Sequence, residues 1–183
     1  MYEQCGRPFS SLNNMNQTMI RNYKATVDPH DTVILLGDFC YRSHRPATSY
    51  LNEMKTGARV FFCRGNHDQW LDELTPEEKR EHFYMIIEDR CVLERNGWRI
   101  GLSHIPTPKE DFPVPVHVCV CSHIHNNRAG YHYETFMSIP DALNAGVDIN
   151  GFTPVTLRQL AANNERFYGR KYDIPEELFR AFE

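Results

Sequence analysis

The sequence predicts an α/β sandwich with a mixed sheet, and three observations carry that prediction. Short apolar runs of strand length end in polar clusters, as residues 32–36 do at Gly37-Asp38 and residues 59–63 do at Arg64-Gly65-Asn66-His67-Asp68. Segments of helical period stand between such runs, the alternation that layers helices on sheets. Asn96-Gly97 between two apolar runs is a hairpin signal, and an antiparallel hairpin makes the sheet mixed rather than purely parallel.

Each element has its own local reason. Ser10 or Ser11 caps a helix over residues 11–25, in which Leu12, Met15, Met19 and Tyr23 share one face, and Asp28-Pro29 turns the chain. Residues 32–36 form a buried strand, residues 48–55 a helix, and residues 59–63 a second strand. Thr75-Pro76-Glu77-Glu78 is a capping box with proline at the first helical position, and its helix runs to about Phe83. Residues 91–94 and 98–102 are the hairpin arms, leading into Ser103-His104, and residues 116–121 are a strand leading into Ser122-His123-Ile124-His125. Residues 145–149 read as one more strand before a helix capped by Thr156.

A chain of 183 residues without linker, repeat or low-complexity stretch reads as a single domain over 1–183. A net charge of −4 argues against an extended nucleic-acid surface, which needs clustered Lys and Arg. No apolar run approaches a membrane span and residues 1–10 lack the layout of a signal peptide, so the expected compartment is cytoplasmic. Six cysteines form no C-x-x-C pair and most lie in apolar runs, so they are expected to be reduced residues of the core.

Four polar clusters stand at strand ends: Gly37-Asp38, Gly65-Asn66-His67-Asp68, Ser103-His104 and Ser122-His123-Ile124-His125. Singly, each is an ordinary turn or a satisfied histidine. Together they offer carboxylate, amide oxygen and imidazole, the donors that suit manganese, iron, nickel or zinc. Residues two apart in an extended segment point the same way, so His123 and His125 can serve one site from one strand end.

In this order the clusters resemble the calcineurin-like metallophosphoesterases, whose pattern runs D-x-H, G-D, G-N-H-D or G-N-H-E, a lone His, and G-H-x-H. The last four elements are present, with Ser122 where the family usually has glycine, a change expected to have little effect. Arg7-Pro8-Phe9 and the stretch Gly146-Val147-Asp148-Ile149-Asn150-Gly151-Phe152, with Pro154-Val155, are similar to a small bacterial and phage branch. The resemblance implies an αββα sandwich and hydrolysis of a phosphomonoester or phosphodiester by a hydroxide bridging two divalent metal ions. It implies that Asp38 bridges the two, that Asn66, His104 and His123 complete one site, that His125 belongs to the other, and that His67 assists the leaving group. No D-x-H precedes Cys5, while residues 2–9 resemble the segment that follows it. The expectation is therefore a chain that starts late, lacking the N-terminal strand and two ligands, with one metal firmly held.

Phe39-Cys40-Tyr41-Arg42 stands where protein serine/threonine phosphatases carry Asp-Arg after G-D, which argues against a protein phosphatase; the expected partner is a small phosphoester substrate, a nucleotide among the candidates. Arg64 and Arg42 are candidate phosphate contacts or else solvated surface, and Asp68 either orders its loop or is a solvated turn residue. Tyr131, Tyr133 and Phe136 either stack on a base or pack in the core, with packing favoured. His30, His44, His82, His117 and His132 are read as structural or exposed. The competing functional reading is a degenerate metal- or nucleotide-binding module of the same fold that has lost turnover.

Overall fold

The computed structural model describes residues 5–183, and the expectations placed on residues 1–4 lie outside them. Helix α1 (Leu12–Thr26) starts where the Ser11 hydroxyl accepts from the Asn14 N–H, and it buries Met15, Ile20 and Tyr23. Leu12, expected on that face, is exposed. Strand β1 (Thr32–Leu35) leads through α2 (Ala47–Met54) to β2 (Arg59–Cys63), its parallel neighbour. Helix α3 (Pro76–His82) opens on the capping box, with the Thr75 hydroxyl on the Glu78 N–H and the Glu78 carboxylate on the Thr75 N–H. It delivers β3 (Met85–Ile87), parallel to β2, so the first sheet is β1-β2-β3 and purely parallel.

The second sheet, β4-β5-β6-β7, is the mixed one. Strands β4 (Arg90–Arg95) and β5 (Trp98–Ser103) are antiparallel around Asn96 and Gly97, whose φ angles of 53° and 81° are the left-handed pair that a type I′ turn requires. Strand β6 (Val118–Cys121) pairs in parallel with β5, and β7 (Ala142–Asn144) with β6. Helix α4 (Tyr131–Ser138) stands between β6 and β7. Helix α5 (Leu157–Tyr168) starts on a second capping box, Thr156 with Gln159, and α6 (Glu176–Phe182) ends the chain.

Residues 145–149, expected to be a strand, are instead loop followed by turn, and the last strand is β7 just before them. The Asn144 side chain accepts from the Gly146 N–H and Asn150 Nδ2 donates to the Gly146 carbonyl, both at 2.8 Å, which draws the backbone into a turn despite its apolar residues.

Alternation along the strands builds three layers of core. Leu36, Cys63 and Ile87 from the first sheet meet Ile100, Leu102, Val118, Val120 and Leu143 from the second, and α5 and α6 add Leu160, Ala161, Leu178 and Phe179. Phe62 points the other way, toward Leu51, Leu71 and Phe83, while Cys119 and Cys121 pack with Phe136 and Ile139. Helices therefore cover the outer face of each sheet, the layering an αββα sandwich requires. Completely buried Leu143 and Leu178 each contribute about 1.5–3 kcal/mol. No helix among the described residues is long and apolar enough to cross a membrane.

Cys63, Cys119 and Cys121 are buried free thiols, while Cys5, Cys40 and Cys91 are partly exposed. Burial pushes Cys63 up to about 12 and Cys119 up to about 11, and Cys121 higher still. Iodoacetamide at pH 8 is expected to leave these three unmodified in the native protein and to modify them once urea unfolds it, read by intact mass. Rapid native alkylation of Cys121 would show that β6 is open.

Candidate metal centre

Chain geometry brings the ends of β1, β2, β5 and β6 together, and two glycines set how closely. Gly37 has φ +78°, and a Cβ there would lie 2.6 Å from both Cα and N of Gly65 and 2.7 Å from His104 Nδ1. A Cβ on Gly65 would lie 2.5 Å from the Asp38 nitrogen. The two loops thus touch backbone to backbone, a contact only glycine permits. Asp38 itself is held at φ +54°, a left-handed conformation that costs a non-glycine residue roughly 1–3 kcal/mol and recurs at functional sites.

Asp68 locks the two loops to each other. Its carboxylate is completely buried and accepts from the Asp38 N–H (2.7 Å), the Phe39 N–H (3.0 Å), the Gly65 N–H (2.8 Å) and Trp70 Nε1 (2.9 Å). Of the two readings open for Asp68, the loop-ordering one holds. The sequence marks the residue but not its partners, because Asp38 and Phe39 lie about thirty positions away.

Four donors converge beside this clamp. His104 Nε2 lies 3.2 Å from Asp38 Oδ2, 3.1 Å from Asn66 Oδ1 and 3.0 Å from His123 Nδ1, with the Asp38 and His104 side chains only 4% exposed. The other His104 nitrogen, Nδ1, sits 2.7 Å from the Leu36 carbonyl oxygen, which can only accept. Nδ1 therefore carries the proton, and the neutral ring turns its Nε2 lone pair toward the cluster. Carboxylate oxygen, amide oxygen and two imidazole nitrogens then face one point, a donor set that fits a divalent cation. Burial, followed by the neighbouring His104 and His132 rings, pushes His123 down to about 4, so its ring is neutral. For His104 and Asp38 burial opposes charge, but their mutual contact and attraction, with the Leu36 carbonyl on His104 and the His67 N–H on Asp38, together outweigh it: His104 moves up and Asp38 down.

Asp38 Oδ1 accepts from the His67 N–H at 2.9 Å, so one carboxylate joins the cluster to the loop bearing His67. The His67 ring packs 4.4 Å from that of Tyr41. The Ser122 hydroxyl donates to the Leu36 carbonyl and lies 3.1 Å from His104 Nδ1, contacts a glycine could not make.

His125 stands apart from the four donors. Its Nδ1 is 3.3 Å from Asp148 Oδ2, and Asp148 is held by Arg7 through Nε (2.7 Å) and Nη2 (3.0 Å). The ring of Phe9 packs edge-on against Phe152 at 4.7 Å. The two stretches that resembled one branch of the family, Arg7 to Phe9 and Gly146 to Phe152, are therefore one contact across 141 residues.

Neither arginine contacts the donor cluster. Arg64 is bound to Asp72 and Glu88, which neutralise it, whereas exposed Arg42 lies over the Tyr41 ring at 5.1 Å. Phe136 packs completely buried and Tyr133 packs beside its cluster, as core packing predicts, but Tyr131 is 77% exposed. It begins α4, whose first turn leaves Tyr131 and Glu134 exposed. His132, read as structural or exposed, packs its ring 4.6 Å from that of His123. His30, His44 and His117 are exposed and His82 is half-buried.

A family model for calcineurin-like phosphoesterases matches residues 7–127, a span that includes Asp38, Asn66, His67, His104, His123 and His125. The chain belongs to that family, which generally binds divalent metals and whose membership points to phosphoester hydrolysis. It is similar to the uncharacterized protein MJ1445 of Methanocaldococcus jannaschii, 30% identical over 113 residues, which are 60% of this chain and 64% of that protein. The chain thus spans somewhat under two thirds of that relative. The crystal structure of the protein of unknown function AQ665 from Aquifex aeolicus superposes with a TM-score of 0.60 over 86% of this chain and 89% of that one, at 22% identity, a likeness of fold.

Proposed function

We propose that the chain is a metal-dependent phosphoesterase whose cation is held by Asp38, Asn66, His104 and His123. The observation that carries this is the convergence of four candidate ligand atoms on one point at the strand ends, with the His104 tautomer fixed by the Leu36 carbonyl. The family pattern has two divalent ions, and the donors here suit manganese, iron, nickel or zinc. Held by these residues, a divalent cation would supply Lewis acidity, lowering the pKa of water and screening phosphoryl charge. Around it, Asp38 fixes the distance between the donor cluster and the His67 loop through its two oxygens. His67 supplies a proton to the departing oxygen, and its ring is steadied by Tyr41. Arg42, exposed over the Tyr41 ring, is the better of the two arginines to meet a phosphate, since Arg64 is already engaged by Asp72 and Glu88. The substrate class is a small phosphomonoester or phosphodiester, including nucleotides, in keeping with the chain's net charge of −4.

The test is turnover of a chromogenic phosphodiester and monoester with Mn²⁺, beside Asp38→Asn and His67→Ala prepared identically. The expected result is a loss of about 10²–10⁴-fold for His67→Ala with bound metal retained, the range for removal of a general acid. Asp38→Asn should lose metal and rate together. Equal rates in all three proteins would end the assignment. A second reading has its own observation: among the described residues the four donors form one cluster, while His125 is paired with Asp148. On that reading the chain binds a single cation and does not turn over, and metal binding without rate above the variants selects it.

A further inference from the structure

We propose that Asp148, anchored by Arg7, is a positioning residue for His125, fixing its proton on Nδ1 so that the Nε2 lone pair is the one that faces a cation. The inference rests on the proposed phosphoesterase function, and Asp148 lies outside the segment that carries the family match.

Three observations meet here. First, Asp148 is nearly completely buried, with its side chain 2% exposed, and both its oxygens are engaged: Oδ1 by Arg7 Nε, Oδ2 by Arg7 Nη2 and by His125 Nδ1. A carboxylate held in this fork cannot rotate, and it can only accept, so the imidazole nitrogen facing it carries the hydrogen. A neutral ring protonated on Nδ1 has its lone pair on Nε2. This is the arrangement by which a carboxylate sets the tautomer of a ligating histidine.

Second, the backbone of His125 is fixed as firmly as its ring. It sits at φ +50°, and its carbonyl accepts from Asn144 Nδ2 at 2.6 Å. Asn144 is completely buried and also receives from Asn164 and gives to Tyr168, so β7 and α5 both hold this one strained residue. Strain sustained by several buried contacts belongs to positions whose geometry matters.

Third, the same side chains do not make a cation site of their own. Cys5, His125 and Asp148 bring ligand atoms within 4.8 Å of one another, but the Arg7 guanidinium occupies both Asp148 oxygens and supplies the positive charge. A cation there would displace or face Arg7. Orientation of His125 is the role left to the carboxylate.

The experiment is a long-range proton–nitrogen correlation spectrum of histidine-labelled, metal-free protein at pH 8.5, followed by titration with Zn²⁺. In the unaltered chain His125 should show a protonated Nδ1 and a bare Nε2. A His125 protonated on Nε2 overturns the proposal, and that measurement needs no variant to fold. In Asp148→Ala, which removes the acceptor, the Nδ1–H form should fall from nearly all of the population to a mixture, and Zn²⁺ should shift His125 only at about 10–100-fold higher concentration. An unchanged tautomer in a folded Asp148→Ala also overturns it. If Zn²⁺ moves none of His104, His123 and His125, the phosphoesterase reading fails, whereas the tautomer of His125 still decides the role of Asp148.

Discussion

Asp68→Ala is expected to lower stability by roughly 3–5 kcal/mol and to abolish metal binding at the four-donor cluster. The carboxylate satisfies four N–H groups that have been taken out of water, and each hydrogen bond to a charged acceptor contributes about 1.5–3 kcal/mol. These terms do not add fully, because the loops relax once released. What is lost with them is registry, since Asp38, Phe39 and Gly65 belong to two different strand ends. Asp68→Asn discriminates this account from simple packing. Each oxygen of Asp68 accepts two of the four N–H groups, so an amide of the same shape can serve two donors and presents its own N–H groups to the other two. The asparagine variant should therefore be nearly as damaged as the alanine one. Urea unfolding and Mn²⁺ titration read both effects. An Asp68→Asn protein within about 1 kcal/mol of the parent would show that the shape of residue 68, not its charge, joins the loops.

How much of this was legible in the sequence depends on how local each cause is. The strands that end at Asp38, Asn66, His104 and His123 are visible because a short apolar run and its polar terminus are contiguous in sequence. The caps at Ser11, Thr75 and Thr156 are visible for the same reason, and so is the Asn96-Gly97 turn. Strand β3 is three residues long and shows no alternation that could announce it. Helix α4 starts at Gly130 with no side-chain cap. Helix α6 did carry a signal, Pro175 followed by Glu176 and Glu177 ahead of an apolar face, that could have identified it. The apolar residues Val147 and Ile149 suggested a strand, yet the amides of Asn144 and Asn150 decide that backbone. Site chemistry divides along the same line. Residue types at strand ends name the donors of the cluster, but the partners of Asp68, the Arg7–Asp148–His125 chain and the His123–His132 contact are tertiary, and no spacing encodes them.

Gly37→Ala is the other substitution expected to act strongly, and its cost has two separable parts. The first is conformational: at φ +78° an alanine pays roughly 1–2 kcal/mol. The second is steric, because the added methyl would stand 2.6 Å from Cα and N of Gly65 and 2.7 Å from His104 Nδ1, so either the loops part or the imidazole moves. Overpacking of this kind costs about 1–3 kcal/mol beyond the first part. Gly97 supplies the control, since its φ is +81° and nothing lies within 4 Å of where its Cβ would be. Gly97→Ala should show the conformational part alone, with metal affinity untouched. Gly37→Ala should show both parts, together with a loss of Mn²⁺ affinity of at least about tenfold, since a displacement of His104 by a fraction of an ångström misaims a ligand nitrogen. Gly65→Ala tests the contact from the other side: its Cβ would meet the Asp38 nitrogen at 2.5 Å, and Gly65 has no positive φ to contribute. If Gly37→Ala and Gly97→Ala lose the same stability and bind Mn²⁺ equally well, the close approach of the two loops is not what positions the donors, and the cluster must be held by Asp68 alone.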